Sequence, residues 1–535
     1  QLLELFLPYL LNVHHDLLAS SSPSAPPGAD VVAGICEPTM RNIVNMLMPR
    51  IMPALHVRRP GSPLADAEGL YPHALDGALQ DTLDRALSGE AMCWRSPLDG
   101  TEQLGRDSLA VSEHRIGYRF RDRVTGTIFY VGAGSNVFTA LDIFIPALQC
   151  VLAHVPDDSV NYGPPFAVAE EYLAHAAIHA SLLVHYLRQP AHDSAVIMRG
   201  FPGMHLGHHI WNELTALDRL QRTVPRDALP MVFVPDADHG SEPFPPVEEI
   251  LPAFAGRVDR THAYRKESIG SLNYRRNLFL ARSMDERVSS FLSERIRVAS
   301  TARPLAQTAR EEAGAFRADG YTIITLGMRV ENRTSTDVVA TTQAIIDRLA
   351  ERIPKLVVVL DGQNARIGDD PSTCFGSYGQ PHDRNPLLLE YDLILRMRHR
   401  YHYTPVKIVS TIGLSVPKSI AWCDASAAFI ACWGAGLAKY RWVCNKPGLI
   451  LSGKWNLSHR HDLRIYDLPE WQENPAPVTF IDANAVTDRP DLGVYFSIVS
   501  PVPITYSNFD IDAVALRNHI DLLVDKMLAQ TVSGP

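Results

Sequence analysis

From residue 321 onward, short apolar runs alternate with longer amphipathic stretches. Residues 321–328 (YTIITLGM), 355–360 (KLVVVL), 406–410, 425–432 and 448–452 read as strands, whereas 337–353 and 387–397 carry helical apolar spacing. Apolar runs of about four to eight residues set between helical patterns predict a parallel sheet covered on both faces. An earlier stretch repeats the scheme. Residues 194–198 (SAVIM), 229–234 (LPMVFV) and 258–264 read as strands, 207–222 and 247–254 as helices, and 275–305 as a helical connection between the two units. A last helical pattern, 510–530, is expected to cross back and brace the earlier unit.

The first part of the chain is patterned differently. Two alternating runs within residues 116–130 flank Val124-Thr125-Gly126 and predict a hairpin. Gly132 and Gly134 then form a G-x-G, followed by a helix-like stretch at 138–148 and by Asp157-Asp158. This imitates a dinucleotide fingerprint but lacks its third glycine, and the strand before it belongs to an antiparallel hairpin. The SSSPSAPPG segment at 20–28 reads as a linker, and the apolar residues 2–13 are shorter than the roughly 20 needed to cross a bilayer. The expected fold class is α/β. An N-terminal α+β accessory region (1–190) precedes two Rossmann-like domains (191–310 and 311–505) facing a cleft, and a C-terminal helix (506–535) follows.

Composition narrows the function. With 535 residues, 46% hydrophobic and 20% charged, the chain is that of a folded, multidomain protein. A net charge of −9 argues against general affinity for nucleic acid. One basic cluster, Arg396 to His402, lies at a predicted helix end, where cations are favoured; the alternative reading is contact with an anionic acceptor or a membrane surface. The seven cysteines show no metal-site spacing and suit buried thiols in a reducing, cytoplasmic compartment.

The candidate chemistry centres on Ala431-Cys432-Trp433-Gly434-Ala435-Gly436-Leu437-Ala438-Lys439, which reads as a strand end, a glycine turn and the first turn of a helix. Glycines there leave backbone N–H groups open to an anion. Arg329 and Arg333, just past the first C-terminal strand, can fork onto phosphate oxygens, and Lys439 can add charge. The other reading of the arginines is ion pairing with Glu331 or Asp337. Asp361, at the next strand end, either caps the turn at Gly362 or binds acceptor hydroxyls. Asp236-Ala237-Asp238-His239 follows a strand as a divalent-metal motif does, but a metal-independent site is expected.

The stretch Leu206-Gly207-His208-His209-Ile210-Trp211-Asn212-Glu213-Leu214 resembles the helix entry of the glycosyltransferase family 61-like group. Arg329 with Arg333 is similar to that group's arginine-bearing strand end, and Gly434 to Leu437 to its glycine-alanine-glycine-leucine turn. The resemblance spans roughly residues 194–455. It implies a GT-B architecture and an inverting, metal-independent transferase, with no cofactor, that moves a sugar from a nucleotide-sugar donor substrate to a glycan or glycolipid acceptor. Arg329, Arg333, Asp361, Gly434, Ala435, Gly436, Leu437 and Lys439 would bind the donor. His208 would be the base, with His209 and Glu213 as fallbacks. Peripheral membrane association fits a glycolipid acceptor. Trp433 stands where the family has histidine, and Ser452 where it often has an acid. Two alternatives therefore stay open: a polysaccharide pyruvyl-type transferase, and a non-catalytic glycan-binding or scaffold module.

Overall fold

The computed structural model describes residues 56–58, 79–112, 115–134, 142–153, 165–198, 206–234, 245–260, 269–365, 368–374, 386–460, 463–490 and 504–532. The described residues of Gln1–Met198, Leu220–Pro235 and Arg257–Met284 form one compact unit, and those of Arg199–Arg219, Asp236–Gly256 and Asp285–Pro535 form another. This division differs from the expected linear succession, because pieces of the 191–310 region pack with the C-terminal residues. Trp211 shows why: its ring stacks on Trp442 at 5.8 Å and meets Trp471 edge-on at 5.9 Å.

The first unit begins with β1 (His56–Arg58), β2 (Met92–Arg95), β3 (Glu102–Gly105), β4 (Asp107–Ser112), β5 (Arg115–Arg121), β6 (Ile128–Ala133), β7 (Asp142–Ile145) and β8 (Cys150–Ala153). β2 and β3 pair as a hairpin; the others form one sheet, β1-β8-β7-β6-β5-β4, antiparallel except where β1 lies along β8. The predicted turn between β5 and β6 is present. Asp122 Oδ1 accepts the N–H groups of Val124 (3.1 Å) and Thr125 (2.7 Å), and Gly126 takes the left-handed conformation, φ +74°.

The G-x-G beside it is no phosphate loop. Gly132 lies inside β6 opposite Asp142, whose carboxyl occupies the space a Cβ would need. Of the stretch expected to be helical, 138–148, residues 138–141 lie outside the described residues, and the rest forms β7 and a short 3-10 turn, Pro146–Leu148. All four β7 residues are buried, because the strand is paired on both sides, and tertiary pairing there overrides the helical pattern. Asp157 and Asp158 lie outside the described residues.

The same unit contains a four-stranded parallel sheet, β11-β10-β9-β12, made of β9 (Asp193–Ile197), β10 (Met231–Phe233), β11 (Val258–Asp259) and β12 (Leu278–Ala281). β12 falls where a helical connection was expected. A four-residue, fully buried apolar run has no periodicity that distinguishes strand from helix, and the true helix, Ser290–Thr301, begins only after it.

The second unit holds β13 (Thr322–Gly327), β14 (Leu356–Asp361), β15 (Lys407–Ser410), β16 (Ala428–Cys432), β17 (Gly448–Leu451) and β18 (Val478–Phe480), with a small hairpin of β19 (Val486–Arg489) and β20 (Asn508–Ile511). Its six-stranded sheet runs β15-β14-β13-β16-β17-β18, parallel throughout. Counted within the sheet, that is the doubly wound order 3-2-1-4-5-6, and the first unit's sheet follows its opening, 3-2-1-4. In such sheets the strand order reverses between the first and fourth strands, here β13 and β16, and ligands bind beyond the carboxyl ends at that point.

Helix Val338–Arg352 is N-capped by Asp337, whose carboxylate accepts the Ala340 N–H at 2.8 Å. Ala306, Ala309 and Ala313 give helix Pro304–Ala318 a smooth face that packs with Trp422, Ala421, Ile323 and Val357. The final helix, Ala513–Val532, packs on Val338–Arg352 of its own unit, with Asp521 pairing Arg348 at 2.5 Å and Arg352 at 2.8 Å.

Candidate functional site

A cavity of about 260 Å³ opens at the carboxyl ends of β13, β14 and β16, at the sheet's switch point. All eight residues expected to bind a donor line it: Arg329, Arg333, Asp361, Gly434, Ala435, Gly436, Leu437 and Lys439. The expected bases do not. His208 is exposed and bonded through Nδ1 to Asn212 at 2.8 Å, and His209 and Glu213 are buried together at 3.0 Å in a π-helical turn. That segment reaches the cavity through Leu206.

The wall of the cavity is the glycine corner and the two arginines. Trp433 N–H completes the sheet by donating to the Leu451 carbonyl at 2.8 Å, and the next helical bond starts at Leu437 N–H, 3.1 Å from the Gly434 carbonyl. The N–H groups of Gly434, Ala435 and Gly436 between them have no hydrogen-bond partner among the described residues. A Cβ at Gly434 would press on Arg329 Nη1, so a side chain there would displace the tip of that guanidinium. Arg329 is anchored by Nε and Nη2 to Asn332 Oδ1 (3.1 and 2.6 Å), while Nη1, the atom against Gly434, has no partner among the described residues.

Arg333 is held by its faces rather than its edges. The guanidinium lies 4.5 Å from the Trp433 ring centroid and 4.6 Å from that of Tyr506, and Nε meets Asn332 Oδ1 at 3.3 Å. Its Nη1 and Nη2 have no hydrogen-bond partner among the described residues, and its backbone is left-handed, φ +51°, a conformation a non-glycine residue adopts at a cost. Burial, followed by the nearby Arg329 charge, lowers its pKa to about 10, so it is still a cation at neutral pH. Trp433 is thus one jaw of an arginine clamp.

The floor is different, and it corrects two expectations. Lys439 is buried, and its ammonium reaches Asp361 Oδ2, Asn364 Oδ1 and Ser419 Oγ, the last at 2.9 Å. An ammonium has three protons, and all three are engaged. Asp361 also accepts from Thr411 Oγ1 (2.5 Å), Ser419 Oγ (2.7 Å) and Tyr440 OH (2.5 Å). Burial works against its charge, but Lys439 and these donors hold the Asp361 pKa below its ordinary value. Lys439 therefore brings no free charge to a ligand, and Asp361 has no lone pair left for acceptor hydroxyls. Instead the two form a neutral buried pair that ties the end of β14 to the turn after the glycine corner.

Three further residues were given no role at the site by the sequence. Glu331 lines the cavity with its carboxylate 3.4 Å from Arg329 Nη2; sequence spacing marked it as an arginine partner but gave no sign that it faces a cavity. Cys432 lines it too, with a thiol that burial pushes up to about 11, so it is protonated. Glu390, fully buried behind Gly362, accepts the Gln363 N–H at 2.9 Å, and burial raises its pKa well above the ordinary range. Among the described residues no cluster of three or more His, Cys, Asp or Glu could hold a metal ion; Asp236, Asp238 and His239 lie outside them. Among the described residues no helix is long and apolar enough to cross a membrane.

No family model matches the chain, and no curated protein does. Solved structures to which it is similar include a glycosyl transferase of family 9 from Veillonella parvula DSM 2008, at 10% identity over 62% of this chain and 97% of that one, with a TM-score of 0.33. Others are the ADP-heptose LPS heptosyltransferase II of E. coli (11% identity, 62% and 99% covered, TM-score 0.27) and an α,α-trehalose 6-phosphate synthase from Burkholderia multivorans (15%, 68% and 77%, TM-score 0.24). Neither donor nor acceptor follows from likeness this distant.

Proposed function

We propose that the switch-point cavity binds the diphosphate of a nucleotide-sugar, and that the protein transfers the sugar to a glycan or glycolipid acceptor without a metal ion. One observation carries the reading. Gly434, Ala435 and Gly436, whose backbone N–H groups have no partner among the described residues, line one cavity with Arg329 and Arg333, whose guanidinium groups keep nitrogens unbonded among the described residues. Such donors, fixed before the ligand arrives, stabilise the charge that develops on a departing diphosphate. The sugar half of the proposal rests on the glycine-alanine-glycine-leucine turn and the arginine-bearing strand end, which resemble motifs of the family 61-like transferases.

Of the two carboxylates lining the cavity, Asp361 is saturated and Glu331 keeps free lone pairs, so Glu331 is the group placed to accept a hydroxyl proton from an acceptor. The test is thermal denaturation of the purified protein with a panel of nucleoside diphosphates and nucleotide-sugars. A ligand bound only by the folded state at about 100 times its Kd adds about 2.7 kcal/mol of stability. One nucleotide class should raise Tm, and its sugar conjugate should then turn over with a glycan or glycolipid acceptor. Absence of any Tm shift across the panel would sink the proposal.

A further inference from the structure

Arg329 and Arg333 are two partly buried cations close enough for the first to disfavour the charge of the second. Charges held together away from water are ordinarily balanced by a carboxylate. Here the group that joins them is an amide. Asn332 Oδ1 accepts from Arg329 Nε (3.1 Å), Arg329 Nη2 (2.6 Å) and Arg333 Nε (3.3 Å), and the Asn332 main-chain carbonyl takes a further bond from Arg329 Nε at 2.6 Å. All the partners of the side chain are N–H donors, so it is the oxygen that faces them. Glu331 comes within ion-pair distance of Arg329, but at 3.4 Å from Nη2 it stands beyond a normal hydrogen bond. Among the described residues Arg333 is in no ion pair.

An amide oxygen and a carboxylate oxygen accept guanidinium protons in the same geometry, but only the carboxylate brings a counter-charge. Asn332 therefore orients both guanidinium groups and leaves their positive charge uncompensated in the free protein. That is a cost to the folded state which an arriving anion removes. If Asn332 served only the bend after β13, an aspartate, of the same shape and equally suited to tight turns, would serve as well. We infer that Asn332 is the positioning residue of the switch-point site, and that its being an amide and not an acid reserves both guanidinium charges for the ligand. This rests on the reading of that cavity as an anion site.

The test is calorimetric titration of the full chain with inorganic pyrophosphate, beside urea denaturation without ligand. Wild type should bind. Asn332→Asp should bind about tenfold more weakly or worse, the scale of one charged hydrogen bond, while its urea midpoint rises, because the protein then carries the counter-charge that the ligand would bring. Asn332→Ala, which loses the anchor and gains no charge, should also bind about tenfold more weakly, with no rise in midpoint. Arg333→Ala should cost less affinity in the Asn332→Asp background than in wild type, since that charge is already compensated there. The inference is overturned if Asn332→Asp binds pyrophosphate as wild type does, if its midpoint does not rise, or if the effects of Asn332→Asp and Arg333→Ala multiply independently. Wild type that binds neither pyrophosphate nor any nucleotide would overturn the proposed function and this inference together. Wild-type binding that Asn332→Asp leaves intact would overturn this inference alone.

Discussion

The floor and the wall of the switch-point cavity are made of similar parts, yet they use them in opposite ways. On the floor, Lys439 and Asp361 engage each other and four neighbouring side chains until neither has a hydrogen-bonding position left. On the wall, Arg329 and Arg333 are fixed by a side-chain amide and by two aromatic faces, and their outer nitrogens stay open. A charge is rigid in both places, but only on the wall is it rigid and available. Charge placement alone therefore does not identify a binding residue; the bonds it has left do.

The largest effects should come from breaking the floor. Removing one partner of a buried ion pair strands the other, at a cost of about 3–5 kcal/mol. Lys439→Met and Asp361→Ala should each lose stability on that scale in urea denaturation, whatever ligand is present. A loss below about 1 kcal/mol in both would mean the pair is solvated, and the contrast with the wall would collapse.

The wall should behave conversely. Arg333→Ala removes charged hydrogen bonds of about 1.5–3 kcal/mol to the ligand, or roughly ten- to a hundredfold in Kd by calorimetry, with the urea midpoint little changed. Arg333→Lys should not rescue it, because an ammonium cannot lie between two rings and still present a fork. Glu331→Gln sharpens the division further: turnover should fall by about 10²-fold or more while nucleotide affinity holds, as expected for loss of a general base. Equal losses of affinity and turnover would make Glu331 a binding residue.

This contrast was half legible in the sequence. Parallel strands buried on both faces read as unbroken apolar runs, so β13, β14, β16 and β17 and their polar ends stood out, and with them the glycine corner and both arginines. β12 and β7 did not: a four-residue buried run carries no period, and only the neighbouring strands decide its state. The Lys439–Asp361 pair spans 78 residues of sequence, and nothing local at Lys439 shows that its protons are engaged elsewhere. The Trp433–Arg333–Tyr506 clamp was likewise hidden, since the tryptophan looked only like a missing histidine. Sequence showed which charges reach the strand ends; whether each is free depends on side chains brought there by the fold.

Glu390, buried behind Gly362 beside the floor, gives the smallest and most specific test. Burial raises its pKa well above that of a free carboxyl, so over the intervening pH range the folded state holds a proton that the unfolded state has released. Stability then falls as pH rises from the ordinary glutamate range through the folded value, and is greatest below it. Glu390→Gln, which keeps the shape and cannot titrate, should remove that slope: the variant should gain on wild type as pH is raised, by urea denaturation at a series of pH values. If the two proteins keep a constant difference across the series, Glu390 is ionised in the folded state. The cavity floor would then carry a second anion beside Asp361, and the neutrality that separates floor from wall would not hold.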